Sequence, residues 1–172
     1  MEEITNKVEQ SGLLQISPED YVPKESDIYF LDFKAFFLDP EMPIVREKEL
    51  RKSLKETDWE AEIGEKDIIC IVLDSSLILP GWIEALLTSH FCGITPNVHI
   101  GANKRETIQK AALFSLATDP DDLFEDKRVI VKGCSSFPIP DFFNHFIRKH
   151  QPAAKTIMYG EACSTVPIFK KR

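Results

Sequence analysis

The segment Ile68-Ile69-Cys70-Ile71-Val72-Leu73 contains no polar residue, and it is bounded by Asp67 and Asp74. A strand with one wet face alternates apolar and polar side chains. A run this short and this rich in branched residues therefore fits a strand covered on both faces. Strands of that kind belong to parallel sheets, in which crossover helices supply the cover. The rest of the chain must then furnish helices between strands.

It reads that way. Ile28-Tyr29-Phe30-Leu31-Asp32-Phe33 is aromatic and branched and predicts an earlier strand. Leu50 and Leu54, four apart among charges between Arg46 and Trp59, predict an exposed helix with a narrow buried stripe. A helix from about Pro80 to Phe91 places Ile83, Leu86, Leu87 and His90 on one face, with proline in its first turn. Asn97 to Gly101 reads as a short strand, Lys104 to Ala117 as a helix, Arg128 to Lys132 as a strand and Pro140 to His150 as a helix. Ala154 to Tyr159 reads as the last strand. This alternation predicts an α/β fold, with a mostly parallel twisted sheet and helices on both faces, Rossmann-like in layout. Nothing in composition divides it, so residues 1–172 are expected to form one domain. Residues 1–26 are an extension packed on it, comprising a short helix from Ile4 to Gly12, the apolar patch Leu13 to Ile16 and a turn at Ser17-Pro18.

Charge excludes some functions. The 172 residues carry 21 basic and 28 acidic side chains, a net charge of -7, with no basic stripe to track a phosphate backbone. No nucleic acid partner is expected. The apolar runs fall far short of the roughly 20 residues that cross a bilayer, so no membrane partner is expected either. The start Met1-Glu2-Glu3 is acidic where an export signal would be basic and then apolar, which predicts a cytoplasmic protein.

In open parallel sheets, ligands bind beyond the carboxyl ends of the strands. The residues expected there are Asp74-Ser75-Ser76, Gly101-Ala102-Asn103, Gly133-Cys134-Ser135-Ser136 and Gly160-Glu161-Ala162-Cys163-Ser164. Two of the four cysteines, Cys134 and Cys163, fall in these loops, and neighbouring strands would bring them to one edge. Cys70, inside an apolar strand, and Cys92, just past a helix end, read as buried hydrophobes. Cys134 precedes a helix, whose N-terminus favours a thiolate. The histidines help less. His90 and His150 end helices, His145 lies mid-helix and His99 mid-strand, so a Cys-His dyad has little support, and Glu161, Asp74, Ser135, Ser164 and Asp32 remain as polar company for the thiols.

Two thiolates with a carboxylate make a soft ligand set. Cys134, Cys163 and Glu161 are thus the expected metal ligands, with Zn or Fe as the metal. Alternatively, Gly133, Ser135 and Ser164 offer backbone and hydroxyl donors that would cradle a small anion or cofactor. No glycine-rich dinucleotide or triphosphate fingerprint is present. The terminal Phe169-Lys170-Lys171-Arg172 reads as a solvated basic tail.

Val131-Lys132-Gly133-Cys134-Ser135, Pro138-Ile139-Pro140 and Ile157-Met158-Tyr159-Gly160-Glu161-Ala162-Cys163-Ser164-Thr165-Val166-Pro167 resemble a bacterial family known as domain of unknown function 2480. Arg46-Glu47-Lys48, Asp58-Trp59 and Thr88-Ser89-His90 extend the resemblance along the chain, although the family usually has proline where this chain has Ala162. The family brings no activity. The resemblance implies a cytosolic protein whose gene often lies beside iron–sulfur cluster assembly genes, and hence iron–sulfur assembly proteins as partners. The expected function is a metal- or thiol-dependent accessory factor of iron–sulfur or metal metabolism. Its rivals are a dithiol oxidoreductase or thiol hydrolase at the same crevice, and a non-catalytic interaction module.

Overall fold

A computed structural model describes residues 12–161 and 163–172. The helix expected from Ile4 to Gly12 lies, except for Gly12, outside the described residues. The described elements run β1 (Leu13–Ile16), β2 (Ile28–Asp32), α1 (Phe33–Phe37), α2 (Glu47–Glu56), α3 (Trp59–Ile63), β3 (Ile68–Val72), α4 (Trp82–Phe91) and β4 (Val98–Gly101). They continue with α5 (Lys104–Thr118), β5 (Arg128–Val131), α6 (Phe142–His150), β6 (Thr156–Glu161) and β7 (Ser164–Lys170), and short 3-10 turns cover Pro18–Tyr21 and Glu25–Asp27. The class is α/β, with parallel sheets flanked by helices.

The strands form two sheets, where one had been expected, in the orders β1-β5-β6-β7 and β2-β3-β4. The chain accordingly divides into two compact units, Pro23–Ala111 and the remainder. The reason lies in strand pairing. β5 has β1 on one edge, with Leu13 opposite Arg128 and Ile16 opposite Val131, and β6 on the other, with Val131 opposite Tyr159. Both edges of β5 are taken, so β4 has no place on it. The apolar patch Leu13–Ile16, expected in an extension, is an integral edge strand.

In the unit Pro23–Ala111, β3 lies between β2 and β4, parallel to both. Its unbroken apolar run is explained by cover on two faces. Ile69 and Ile71 face Leu50 and Leu54 of α2, Trp59 and Ile63 of α3, and Ile83, Leu87 and Phe91 of α4. Ile68 and Cys70 pack instead with Ile28, Ala111 and Ile108. The single helix expected over 46–59 breaks at Thr57, where Asp58 caps α3 by accepting from the Ala61 N–H at 3.2 Å. Asp32 caps the unforeseen α1 in the same manner, through the Ala35 N–H at 3.1 Å.

In the other unit, Val129, Val131, Phe142, Phe146, Ala154 and Ile157 form a core with Ala112, Leu116 and Phe124. β7, where the sequence predicts loop and tail, returns antiparallel to β6 with Phe169 opposite Ile157. Its Pro167 suits this position, because an edge strand leaves alternate N–H groups without ladder partners. At the end of α6, His150 is fully buried against Phe124 and Phe146, its Nε2 3.1 Å from Asp119 Oδ2. Asp119 also accepts from the Tyr21 hydroxyl at 2.7 Å, and this tethers the Pro18–Tyr21 turn.

Burial gives the fold a pH dependence of definite sign. It pushes His99 down to about 4, with Lys110 adding to the effect. It also lowers His150, against the opposing pull of Asp119. An unfolded chain would protonate both near 6.5 and so binds more protons than the folded one as pH falls. Stability is then full above about pH 6.5 and is lost below it, with His99 contributing on the order of 3 kcal/mol by the time its folded pKa is reached. Urea midpoints measured from pH 7.5 to 5 should fall, and His99→Leu should flatten the slope. A midpoint that rises on acidification contradicts the assignment.

Candidate thiol site at the carboxyl edge of β5 and β6

The loop after β5 begins with Gly133, which lies against the next strand. A Cβ there would come within 2.8 Å of the Tyr159 hydroxyl oxygen, so a side chain at this position would have to displace the Tyr159 ring. Tyr159 is itself held edge-on by Phe143, with ring centroids 5.0 Å apart. Cys134 follows and is exposed. Ser135 Oγ accepts from the Phe137 N–H at 3.1 Å and shapes the turn beyond it.

On the adjacent strand, β6 runs two residues past Tyr159 to Glu161, whose partner in β7 is Ser164. Gly160 has φ +121°, and a Cβ on it would meet the Ser164 carbonyl oxygen at 2.4 Å. The hairpin thus depends on glycine, and Cys163 sits exposed in its turn. Gly133, Cys134, Ser135, Glu161, Cys163 and Ser164 therefore all lie at the carboxyl end of one pair of parallel strands.

Other expectations are corrected. Asp32, Asp74 and Gly101, expected on the same edge as the thiols, stand at the carboxyl ends of β2, β3 and β4 respectively, in the other sheet. α6 begins at Phe142 after a left-handed Asp141, so Cys134, earlier in the loop, does not open the helix that it precedes. Cys92 is exposed, contrary to the expected burial. Cys70 is fully buried, and that burial pushes its thiol up. Among the described residues, no three His, Cys, Asp or Glu side chains are grouped so as to hold a metal ion. Cys134, Cys163 and Glu161 share an edge without forming such a group.

Sequence reasoning also missed the occupant of the Gly133–Ser136 loop. The Ser136 N–H donates to Glu19 Oε1 at 2.5 Å and the Ser136 hydroxyl donates to the same oxygen at 2.9 Å. The Ser17 hydroxyl donates to the other oxygen. The donors at Ser17 and Ser136 hold the Glu19 carboxyl well below the usual carboxylate range. Within the loop expected to cradle an anion, the donors of Ser136 are met by the chain's own Glu19 carboxylate. No local pattern joins Glu19 to Ser136; only the β1–β5 pairing does.

A second concavity, of about 360 Å³, lies at the carboxyl ends of β2, β3 and β4, lined by Phe30, Asp32, Val72, Asp74, Asn103 and Lys104 among others. The Lys104 ammonium lies 4.8 Å from the Phe30 ring centroid. Asp74 turns one oxygen to the Ser76 N–H, which lowers its pKa.

Fold and site define an α/β protein that presents two free thiols at one end of a parallel strand pair. The chain belongs to the family of proteins of unknown function DUF2480, which it matches over residues 2–171. No curated protein and no solved structure matches it. Among the described residues, no helix is long and apolar enough to cross a membrane.

The hairpin gives a direct expectation. Gly160→Ala forces a side chain into the Ser164 carbonyl and should cost about 1–3 kcal/mol, read as a lowered denaturation midpoint. An unchanged midpoint would place Gly160 outside the strained turn.

Proposed function

We propose that this chain is a thiol-dependent accessory protein that carries a sulfur species transiently on Cys134 and Cys163. The observation that carries the reading is the pairing of two exposed, free cysteines at the same end of adjacent strands, while Cys70 is sealed in a sheet. An exposed thiol in a polar loop is reached by reagents, and a buried one is not.

The chemistry balances with a persulfide as donor. The Cys134 thiolate attacks the outer sulfur of the donor, the S–S bond breaks, and the donor leaves as a thiolate. Attack by the Cys163 thiolate on the inner sulfur of the Cys134 persulfide then forms a disulfide and expels hydrosulfide. The two thiols supply the two electrons. Such a carrier suits a setting of iron–sulfur assembly, with assembly proteins as donor and acceptor, and it needs no resident metal.

The test is sulfur uptake mapped by peptide mass. Incubated with a small-molecule persulfide, the folded protein should gain one sulfur atom at Cys134, lose that gain in Cys134→Ser, and retain it in Cys92→Ser. Cys163→Ser should leave the Cys134 persulfide long-lived. Equal uptake at Cys92 and Cys134 would mark exposure alone and overturn the reading. A Cys134–Cys163 disulfide under mild oxidant without any sulfur uptake would favour the dithiol oxidoreductase instead.

A further inference from the structure

The contact between Glu19 and Ser136 has the form of a bound anion. Two donors from one residue, the Ser136 N–H at 2.5 Å and its hydroxyl at 2.9 Å, converge on a single carboxylate oxygen, and the Ser17 hydroxyl takes the second. A carboxylate accepting backbone N–H and hydroxyl donors at these distances is a charge-assisted pair, and the same donors accept any small oxyanion of similar size. Ser136 is exposed, so solutes reach its N–H and hydroxyl, whereas Ser17 is buried.

The Glu19 side chain is also separable from the turn that bears it. That turn is closed by other groups: the Ser17 N–H donates to Asp20 Oδ2 at 2.7 Å, the Asp20 N–H to the Ser17 carbonyl at 3.0 Å, and the Val22 N–H to the Glu19 carbonyl at 3.1 Å. Tyr21 adds its tether to Asp119. On the other side, the Gly133 contact with Tyr159 and the Ser135–Phe137 turn shape the loop without Glu19. Both halves of the contact therefore keep their form when the carboxylate leaves.

We infer that Ser17 and Ser136 form an oxyanion site next to Cys134, that Glu19 is its intramolecular occupant, and that a small inorganic oxyanion competes with Glu19 for it. The site is closed when Glu19 is seated and open when it swings out. A ligand that binds there works against an occupant tethered at high effective concentration, so its apparent affinity in the native chain is reduced by the fraction of open site. This inference goes beyond the thiol reading and does not need it.

Inorganic phosphate is the probe, and the Ser136 amide signal in a nitrogen-15 NMR spectrum is the readout, measured on a Cys134→Ser background so that thiol chemistry plays no part. In Glu19→Ala, phosphate should shift the Ser136 and Phe137 amides saturably, with half-saturation at least tenfold lower than in the chain that keeps Glu19. Adding Ser136→Ala, which removes one of the donors, should weaken the response. Glu19→Asp, one methylene shorter, carries the same expectation if the alanine variant does not fold. A folded Glu19 variant whose Ser136 amide ignores phosphate overturns the site. An equal, unsaturable drift with and without Glu19 shows an adventitious ion only and overturns it as well.

Discussion

The interaction on which the remaining architecture of its unit depends is the pairing of β1 with β5. Four residues near the N-terminus, Leu13–Ile16, lie parallel to Arg128–Val131, and the Lys132 N–H closes the ladder on the Ile16 carbonyl at 2.8 Å. With β1 on one edge and β6 on the other, β5 becomes an interior strand, and Val129 and Val131 are sealed in the core. The pairing also carries the Ser17–Tyr21 segment to the loop after β5. Glu19 reaches Ser136 and Tyr21 reaches Asp119 only because β1 lies where it does.

What could be read from the residues, and what could not, follows from the range of each interaction. The run Ile68–Val72 announces its own burial, since each of its faces meets a separate apolar cluster. Leu50 and Leu54 disclose the buried stripe of α2 by spacing alone. The partner of a strand is another matter, because any apolar strand pairs with any other. The division into two sheets depends on which strand reaches the edges of β5, and no local pattern states that. β7 escaped for a related reason: Pro167 and the exposed Val166 and Ile168 resemble a tail until β6 supplies a ladder.

The site shows the same split. Cys134 and Cys163 were legible as residues in loops after strands, and both are exposed at one edge. Asp32 and Asp74 were legible as strand-end carboxylates but were assigned to the wrong sheet. The acidic excess of the chain also has a local use that net charge does not reveal. Asp32 and Asp58 cap helices, Glu106 accepts from the Ala102 N–H at 2.9 Å at the start of α5, and Glu19 fills the donors of Ser136. Several of the backbone N–H groups that would greet an external anion are already met by the protein's own carboxylates.

The proposed function requires that Cys134, in the loop after β5, and Cys163, in the turn between β6 and β7, come within reach of one another. A short homobifunctional thiol reagent applied to the native, reduced protein tests this without any assumption about activity. The account predicts a bridge between Cys134 and Cys163 within one chain, found by peptide mapping and lost on unfolding. A native protein in which both thiols react singly, with no intrachain bridge between them, would contradict it.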